Sequence, residues 1–366
     1  MEHVRKAIMR GLSFFGGAES IFRGKRTILL KPNLLVGEVP EKAITTHPVI
    51  VEGVSEILLE KGFRLGYGDS SGFGSVESVA KKTGLYSVGE RKGLSCVNFS
   101  ERSEVSFPAG RQNKSFIISR GILQYDAVLS LPKWKTHGFT RVTGAVKNQF
   151  GCIPGILKRE YHFKIPDVIH FSRMLVDLNL LVRPRFFIMD AIVAMDGNGP
   201  RSGKPQLMGV LGFSEDPVAL DATFSRLIAL DPRYVPTCVE GERGNLGTWQ
   251  EESIELVGDD FSHFTYPNFD VRREPVDVYQ KNGSFRSLLI NHFISRPVIE
   301  VSKCKRCGVC WEVCPAHPKA LEWSDHALPP QHLYRLCIRC YCCQEMCPHE
   351  AIEIRTPWLR RLLYSL

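Results

Sequence analysis

The stretch Cys304-Lys-Arg-Cys307-Gly-Val-Cys310-Trp-Glu-Val-Cys314-Pro315 returns, each cysteine thirty-three residues later, as Cys337-Ile-Arg-Cys340-Tyr-Cys-Cys343-Gln-Glu-Met-Cys347-Pro348. Two-residue gaps let three thiolates turn around one iron-sulfur cube, while a fourth cysteine, set back and followed by proline, is aimed at a neighbouring cube. Two runs therefore predict two 4Fe-4S clusters, one on Cys304, Cys307, Cys310 and Cys347 and the other on Cys337, Cys340, Cys343 and Cys314. A disulfide scaffold would require a small secreted chain, and zinc sites are normally built from paired C-x2-C units across one gap.

The segment 297–355, carried by these cysteines and their prolines, resembles a bacterial two-cluster ferredoxin. The resemblance implies a small α+β module in the last sixth or so of the chain. Cys342 is additional, standing where the first run has Val309, and reads as a packed or free thiol. Between the runs, Leu321 to Leu333, with Asp325, Pro329 and Pro330, reads as a surface loop. Beyond the module, 356–366 is a short basic amphipathic tail. Trp358, Leu359, Leu362 and Leu363 alternate with Arg360 and Arg361, suiting a membrane surface, a partner or a frayed terminal helix.

At 366 residues with 43% hydrophobic residues, the chain has room for a large core besides this module. The expected division is a domain over 1–296, including a wrapping linker from about 259, then the module and the tail. No run of eighteen apolar residues and no signal-like N-terminus occur, so no transmembrane segment is expected. Cluster thiolates with Cys96, Cys152 and Cys238 fit a reducing, cytoplasmic location. Between Arg111 and Lys164, ten Lys or Arg stand against Asp126 and Glu160 alone, an excess equal to the whole chain's +8. Such a field attracts phosphate, carboxylate or nucleic acid, or is a solvated face.

Apolar runs at 27–30, 63–67, 125–131, 185–195 and 207–213 read as strands, with weaker ones near 96–99 and 115–119. Helical spacing occupies 1–23, 48–61, 76–83, 143–150 (Thr143 as N-cap), 167–182 and 217–230. The alternation predicts an α/β fold with a mostly parallel sheet and helices on both faces. From 259 to 296 the pattern degrades to a strand or two plus linker.

Ligands of open α/β sheets bind beyond the carboxyl ends of the strands. Polar clusters stand at those expected ends: Lys31 and Asn33; Asp69, Ser70 and Ser71; Lys133, Lys135, Thr136 and His137; Asp196 and Asn198; Ser214 and Asp216. Each also has a structural reading, such as an Asx-turn at Asp69 or a helix cap at Asp216-Pro217. Lys135, His137 and Lys147 are the expected catalytic residues, because a desolvated lysine or a near-neutral histidine moves protons. Lys31, Asn33, Asp69, Ser70, Lys133, Asn148, Asp196 and Asp216 are the expected substrate-binding set. Asp190 joins them as a carboxylate that burial would force to pair. His162 and His170 read as core or surface residues.

Lys31-Pro-Asn33, Thr46-His-Pro48, Gly68-Asp-Ser-Ser71, Pro132-Lys-Trp-Lys-Thr-His137, Thr143-Gly-Ala-Val-Lys-Asn148 through Gly151, Asp196-Gly-Asn-Gly-Pro200 and Asp216-Pro217 with Asp221 together resemble the domain-of-unknown-function family 362, over roughly 20–250. That family is often fused to a ferredoxin module. The resemblance implies fold and boundaries and assigns no reaction.

Three functions follow from the residues. The first is an iron-sulfur oxidoreductase passing electrons through two 4Fe-4S clusters to or from an anionic substrate or cofactor in the α/β domain. The second is a non-catalytic relay docking a redox partner such as a flavoprotein. Nucleic acid ranks last, since neither Gly-x-Gly-x-x-Gly nor Gly-Lys-Ser/Thr occurs in the glycine-rich turns.

Overall fold

A computed structural model describes residues 2–72, 74–276, 294–358 and 360. Its central sheet contains β1 (Thr27–Pro32), β2 (Arg64–Tyr67), β3 (Ser95–Cys96), β6 (Ala127–Leu131), β7 (Lys133–His137), β8 (Arg141–Thr143), β9 (Phe186–Asp196) and β10 (Lys204–Ser214). The order is β3-β2-β1-β6-β9-β7-β8, with β10 also paired to β9. Pairings from β3 through β9 to β7 are parallel; β8 and β10 run antiparallel to their neighbours. β4 (Arg102–Ser106) and β5 (Ser115–Ser119) form a separate antiparallel pair.

Alternation within the apolar runs builds a core on each face. Ile28, Leu30, Leu129, Leu131, Phe186 and Ile188 pack into one cluster, while Leu29, Val128, Phe187 and Met189 between them pack into another. A strand buried on both sides reads as a continuous apolar run because each period-two face meets helices. Those helices include α1 (Glu2–Ser13), α2 (Gly17–Ile21), α3 (Pro48–Glu60), α4 (Val76–Lys82), α5 (Leu85–Lys92), α6 (Ala145–Asn148), α7 (Gly155–Lys164), α8 (Val168–Val182), α9 (Pro217–Leu227) and α10 (Pro236–Arg243). The α/β class with a mostly parallel sheet is thus the observed fold.

Three local expectations are corrected. Lys133 to His137 forms strand β7 rather than a loop after β6. Thr143 ends β8 and Gly144 occupies the cap of a four-residue α6, which continues as a 3-10 turn over Gln149–Cys152. The stretch expected as a loop from Leu321 carries a hairpin, β12 (Leu321–Glu322) against β13 (Gln331–His332). Residues 277–293, part of the 259–296 stretch expected to hold a strand or two plus linker, and most of the amphipathic tail lie outside the described residues.

The C-terminal module closes with β11 (Arg296–Ile299) antiparallel to β14 (Ile352–Arg355). Its cysteine repeat is also a backbone repeat. Arg306 and Arg339 share φ of 55° and 60°, Gly308 and Tyr341 share 77° and 61°, and short helices follow at Val309–Glu312 and Cys342–Met346. The left-handed residues turn each run back on itself, directing successive cysteines inward.

The loop after β9 clasps this module to the sheet. Gln344 Nε2 donates to the Asn198 carbonyl at 2.8 Å and to Asn198 Oδ1 at 2.9 Å, while Asn198 Nδ2 donates to the Ile352 carbonyl at 2.9 Å. Arg201 donates to the Met346 carbonyl at 3.0 Å and pairs with Glu38 at 2.8 Å. Among the described residues no helix is long and apolar enough to cross a membrane.

Candidate functional site

The cysteines gather as two groups. Cys304, Cys307 and Cys310 line one cavity with Cys347 from the other run, its apolar remainder including Ile299, Pro330 and Ile352. Cys314 of the first run packs beside Cys337 of the second, and burial, then Cys337, Cys340, Cys310 and Cys314, pushes the Cys343 thiol up. Soft thiols converging in apolar surroundings, with ligands crossed between runs, fit two iron-sulfur cubes. No three His, Cys, Asp or Glu side chains among the described residues close on a single-ion site. The groups differ in exposure, since Cys307 is exposed and Cys304 half-buried, whereas Cys337, Cys340 and Cys343 are all buried.

A cavity of about 700 Å³ lies between the sheet's α6–α7 region and the helix Cys342–Met346. Ser70, Lys147, Lys158 and His162 line it from one side, and Cys342 and Glu345 from the other. The expected residues Asn33, Asp69, Ser70, Lys147 and Asn148 therefore meet at one cavity.

Behind that surface lies a layer of buried pairs. Lys31, at the end of β1, pairs with Asp69 at 2.8 Å and donates to the Asn148 carbonyl at 2.6 Å. The other Asp69 oxygen accepts from the Leu34 N–H at 2.7 Å. Lys135 donates to Asn33 Oδ1 at 2.9 Å and to the Ile44 carbonyl at 2.5 Å, so it braces the cavity wall without lining it. Lys133 pairs with Asp190 at 2.8 Å, and that carboxylate also accepts from the His47 N–H.

His137 Nδ1 accepts from the Phe139 N–H at 3.0 Å, which assigns the ring proton to Nε2, 3.6 Å from Glu345 Oε2. Burial and then Lys147 push His137 down to about 4, leaving the ring neutral. Burial alone would raise the Glu345 carboxyl, but His137 and Lys147 outweigh it and hold the group well below the usual carboxylate range. Burial lowers Lys147, and takes Lys158 down to about 8 and His162 to about 3. Lys158 donates to the Ser70 carbonyl, and both amines stand over Phe150, with Nζ 5.9 Å (Lys147) and 5.7 Å (Lys158) from the ring centre.

Lys135 gives a testable sign. Burial and then Lys147 push its amine down to about 7, against 10.5 for an ordinary lysine. Between those values the unfolded chain binds the extra proton, so raising the pH favours the folded state. The thermal midpoint should climb from about pH 7 to 10, with a slope of up to about 1.4 kcal/mol per unit from this group. Lys135→Met should reduce the climb; the same climb in both proteins would refute the assignment.

Two expected binding residues sit elsewhere. Asp196 accepts from the Asp270 N–H and from Gln206 Nε2, each at 3.0 Å, and ties β10 and a later segment to the clasp loop. Asp216 caps α9, accepting from Val218 and Ala219 N–H at 2.7 and 3.0 Å, and also holds Thr248 N–H at 2.9 Å. The basic span presents no continuous face to nucleic acid, because Lys133, Lys135, Arg141 and Lys147 are buried.

Lys158, Arg159 and Glu345 line the cavity without having been singled out in the sequence, and His162, read there as a core or surface residue, lines it too. Lys158 and His162 stand at i, i+4 on α7, a spacing that puts both on one face. Glu345 stands inside the second cysteine run, where it reads only as a spacer.

An α/β domain with a polar cavity closed by a cysteine-rich helix defines a redox class of protein. Residues 28–226 match the family described as "Domain of unknown function (DUF362)", and residues 296–348 match the "4Fe-4S dicluster domain". The chain belongs to the DUF362 family, and its C-terminal module serves iron-sulfur electron transfer. It is 35% identical over 235 residues to the "Thylakoid-associated protein sll1697" of Synechocystis sp., covering 62% of this chain and 71% of that protein. Among solved structures, a lactate racemase apoprotein from Thermoanaerobacterium thermosaccharolyticum aligns at TM-score 0.41 and 12% identity, over 60% of this chain and 54% of that one. A Thermotoga maritima protein aligns at TM-score 0.34 and 14% identity, over 58% and 56%. The chain thus spans little more than half of either structure, and likeness at that level says nothing about its chemistry.

Proposed function

We propose that this protein is an iron-sulfur oxidoreductase whose substrate is a small anion held in the cavity above Lys147. One observation carries the reading: the helix Cys342–Met346 holds Cys343 and also supplies Cys342 and Glu345 to the cavity wall. Two 4Fe-4S clusters on the eight expected cysteines would supply or accept single electrons there. Residues 1–296 then bind substrate, residues 297–355 provide the cluster ligands, and the exposed Cys304–Cys307 edge is where a redox partner protein would meet the chain. Thiolate ligands of this kind suit a reducing compartment such as the cytoplasm.

The chain's own groups have separable tasks. Lys147 and Lys158 attract the anion, the neutral His137 stands with its Nε2 3.6 Å from Glu345, and Asn33 and Asn148 fix the wall. Cys342, pushed well up by its contact with Cys340 and by burial, stays a thiol and contributes soft, uncharged surface.

Re-oxidation of the reduced, anaerobically purified protein, followed by visible absorbance against a panel of small organic acids and phosphates, tests this. At least one compound should accelerate re-oxidation, and Lys147→Ala should slow it ~10²-fold or more with cluster absorbance intact. A rate indifferent to Lys147 for every compound would leave only the relay.

A further inference from the structure

The cavity floor holds polar atoms that nothing in the protein satisfies. Thr143 Oγ1 and His162 Nδ1 are buried without a hydrogen-bond partner. Their residues are 3% and 4% exposed, and both line the cavity. Lys147, 8% exposed, brings an ammonium that rests over Phe150 and makes no hydrogen bond or ion pair among the described residues. Orphaned buried groups each cost about 1–3 kcal/mol and are rare unless something meets them. On the same wall begins the ten-residue α7, with Gly155 and Lys158 of its first turn, and Arg159 just beyond it, lining the cavity. First-turn N–H groups have no intrahelical acceptor and carry the positive end of the helix dipole.

Charge and shape then select the ligand. Lys147, Lys158, Arg159 and Arg102 are positive, Glu345 faces them, and Asp69 and Glu77 are already matched by Lys31 and Lys81. Three positive charges remain, enough to hold a dianion. The donors come from three separate elements, β8, α6 and α7, and so can approach a bound group from different directions. That arrangement suits a tetrahedral phosphoryl group over a planar carboxylate. At about 700 Å³ the cavity is far larger than phosphate alone, leaving room for an organic remainder.

We propose that the cavity floor is a phosphoryl site, taking the dianionic phosphate of a small organic phosphate ester between Thr143, Lys147, Arg159 and the first turn of α7. This rests on the reading that the cavity holds the anionic substrate, and it names that substrate's class.

Isothermal titration of glycerol 3-phosphate, inorganic phosphate and malonate into the full-length, cluster-loaded protein decides it. Glycerol 3-phosphate should bind tightest and malonate at least ~10-fold more weakly. Lys147→Met should weaken the ester ~10- to 100-fold, and the near-isosteric Thr143→Val by several-fold, with unchanged cluster absorbance reporting an intact fold. Malonate binding as tightly as the ester, or ester binding indifferent to both substitutions, would overturn the phosphoryl assignment, and inorganic phosphate binding as tightly as the ester would overturn the organic remainder. None of those outcomes touches the redox reading, which fails instead on Lys147-independent re-oxidation.

Discussion

Asp69→Ala is expected to cost the fold about 3–5 kcal/mol, because it strands the Lys31 ammonium in the interior. Lys31 is fully buried, and its charge is met by Asp69 at 2.8 Å and the Asn148 carbonyl at 2.6 Å. The same carboxylate fastens the Leu34 N–H, so the substitution also frees the backbone that follows β1. Gly151 belongs to the arrangement: a Cβ there would run into the Asp69 carboxylate and the Lys31 amine. Coulomb attraction in a dry interior roughly offsets desolvation while the pair is whole, and the loss of one partner removes only the favourable half. Urea unfolding of the anaerobic holoprotein checks this, with a loss below about 1 kcal/mol counting against a buried ion pair. Lys31→Met combined with Asp69→Leu should recover much of the loss.

Cys347→Ala should abolish the cluster of the opposite run. Cys347 belongs to the second run in sequence but lines the same cavity as Cys304, Cys307 and Cys310. Removing it should therefore halve the iron content and leave the signal of the buried group, Cys337, Cys340, Cys343 and Cys314. Cys314→Ala should do the reverse. Iron analysis with electron paramagnetic resonance of the reduced variants distinguishes the two, and loss of the buried group's signal in Cys347→Ala would show uncrossed ligation.

Much of this is legible in the sequence. The parallel sheet followed from short apolar runs between amphipathic segments, since a strand buried on both faces needs no alternation. Lys147, Asn148, Asp69 and Ser70 were found because polar residues at strand ends have few purely structural uses in such number. Strand β7 was missed for a physical reason. Lys-Trp-Lys-Thr-His after Pro132 looks solvated, yet Lys133 finds Asp190 and Lys135 finds Asn33 and Ile44, partners more than fifty residues distant. Tertiary pairing overrode local preference there, as it commonly does in sheets. At Asp216 the plain cap reading is what the structure contains. Glu345 was hidden by its own company, because a cysteine run draws attention to ligands and away from the residues between them.

The clasp between Asn198 and Gln344 makes assembly order matter. Gln344 sits between Cys343 and Glu345 on a five-residue helix too short to persist alone. Without an ordered cysteine module this helix has nothing to hold it against the Asp196–Pro200 loop, and the cavity loses the wall bearing Cys342 and Glu345. A chain whose cysteine module is disordered would thus also lack that wall of the cavity. Ordering of the cysteine module and completion of the cavity are therefore one event rather than two.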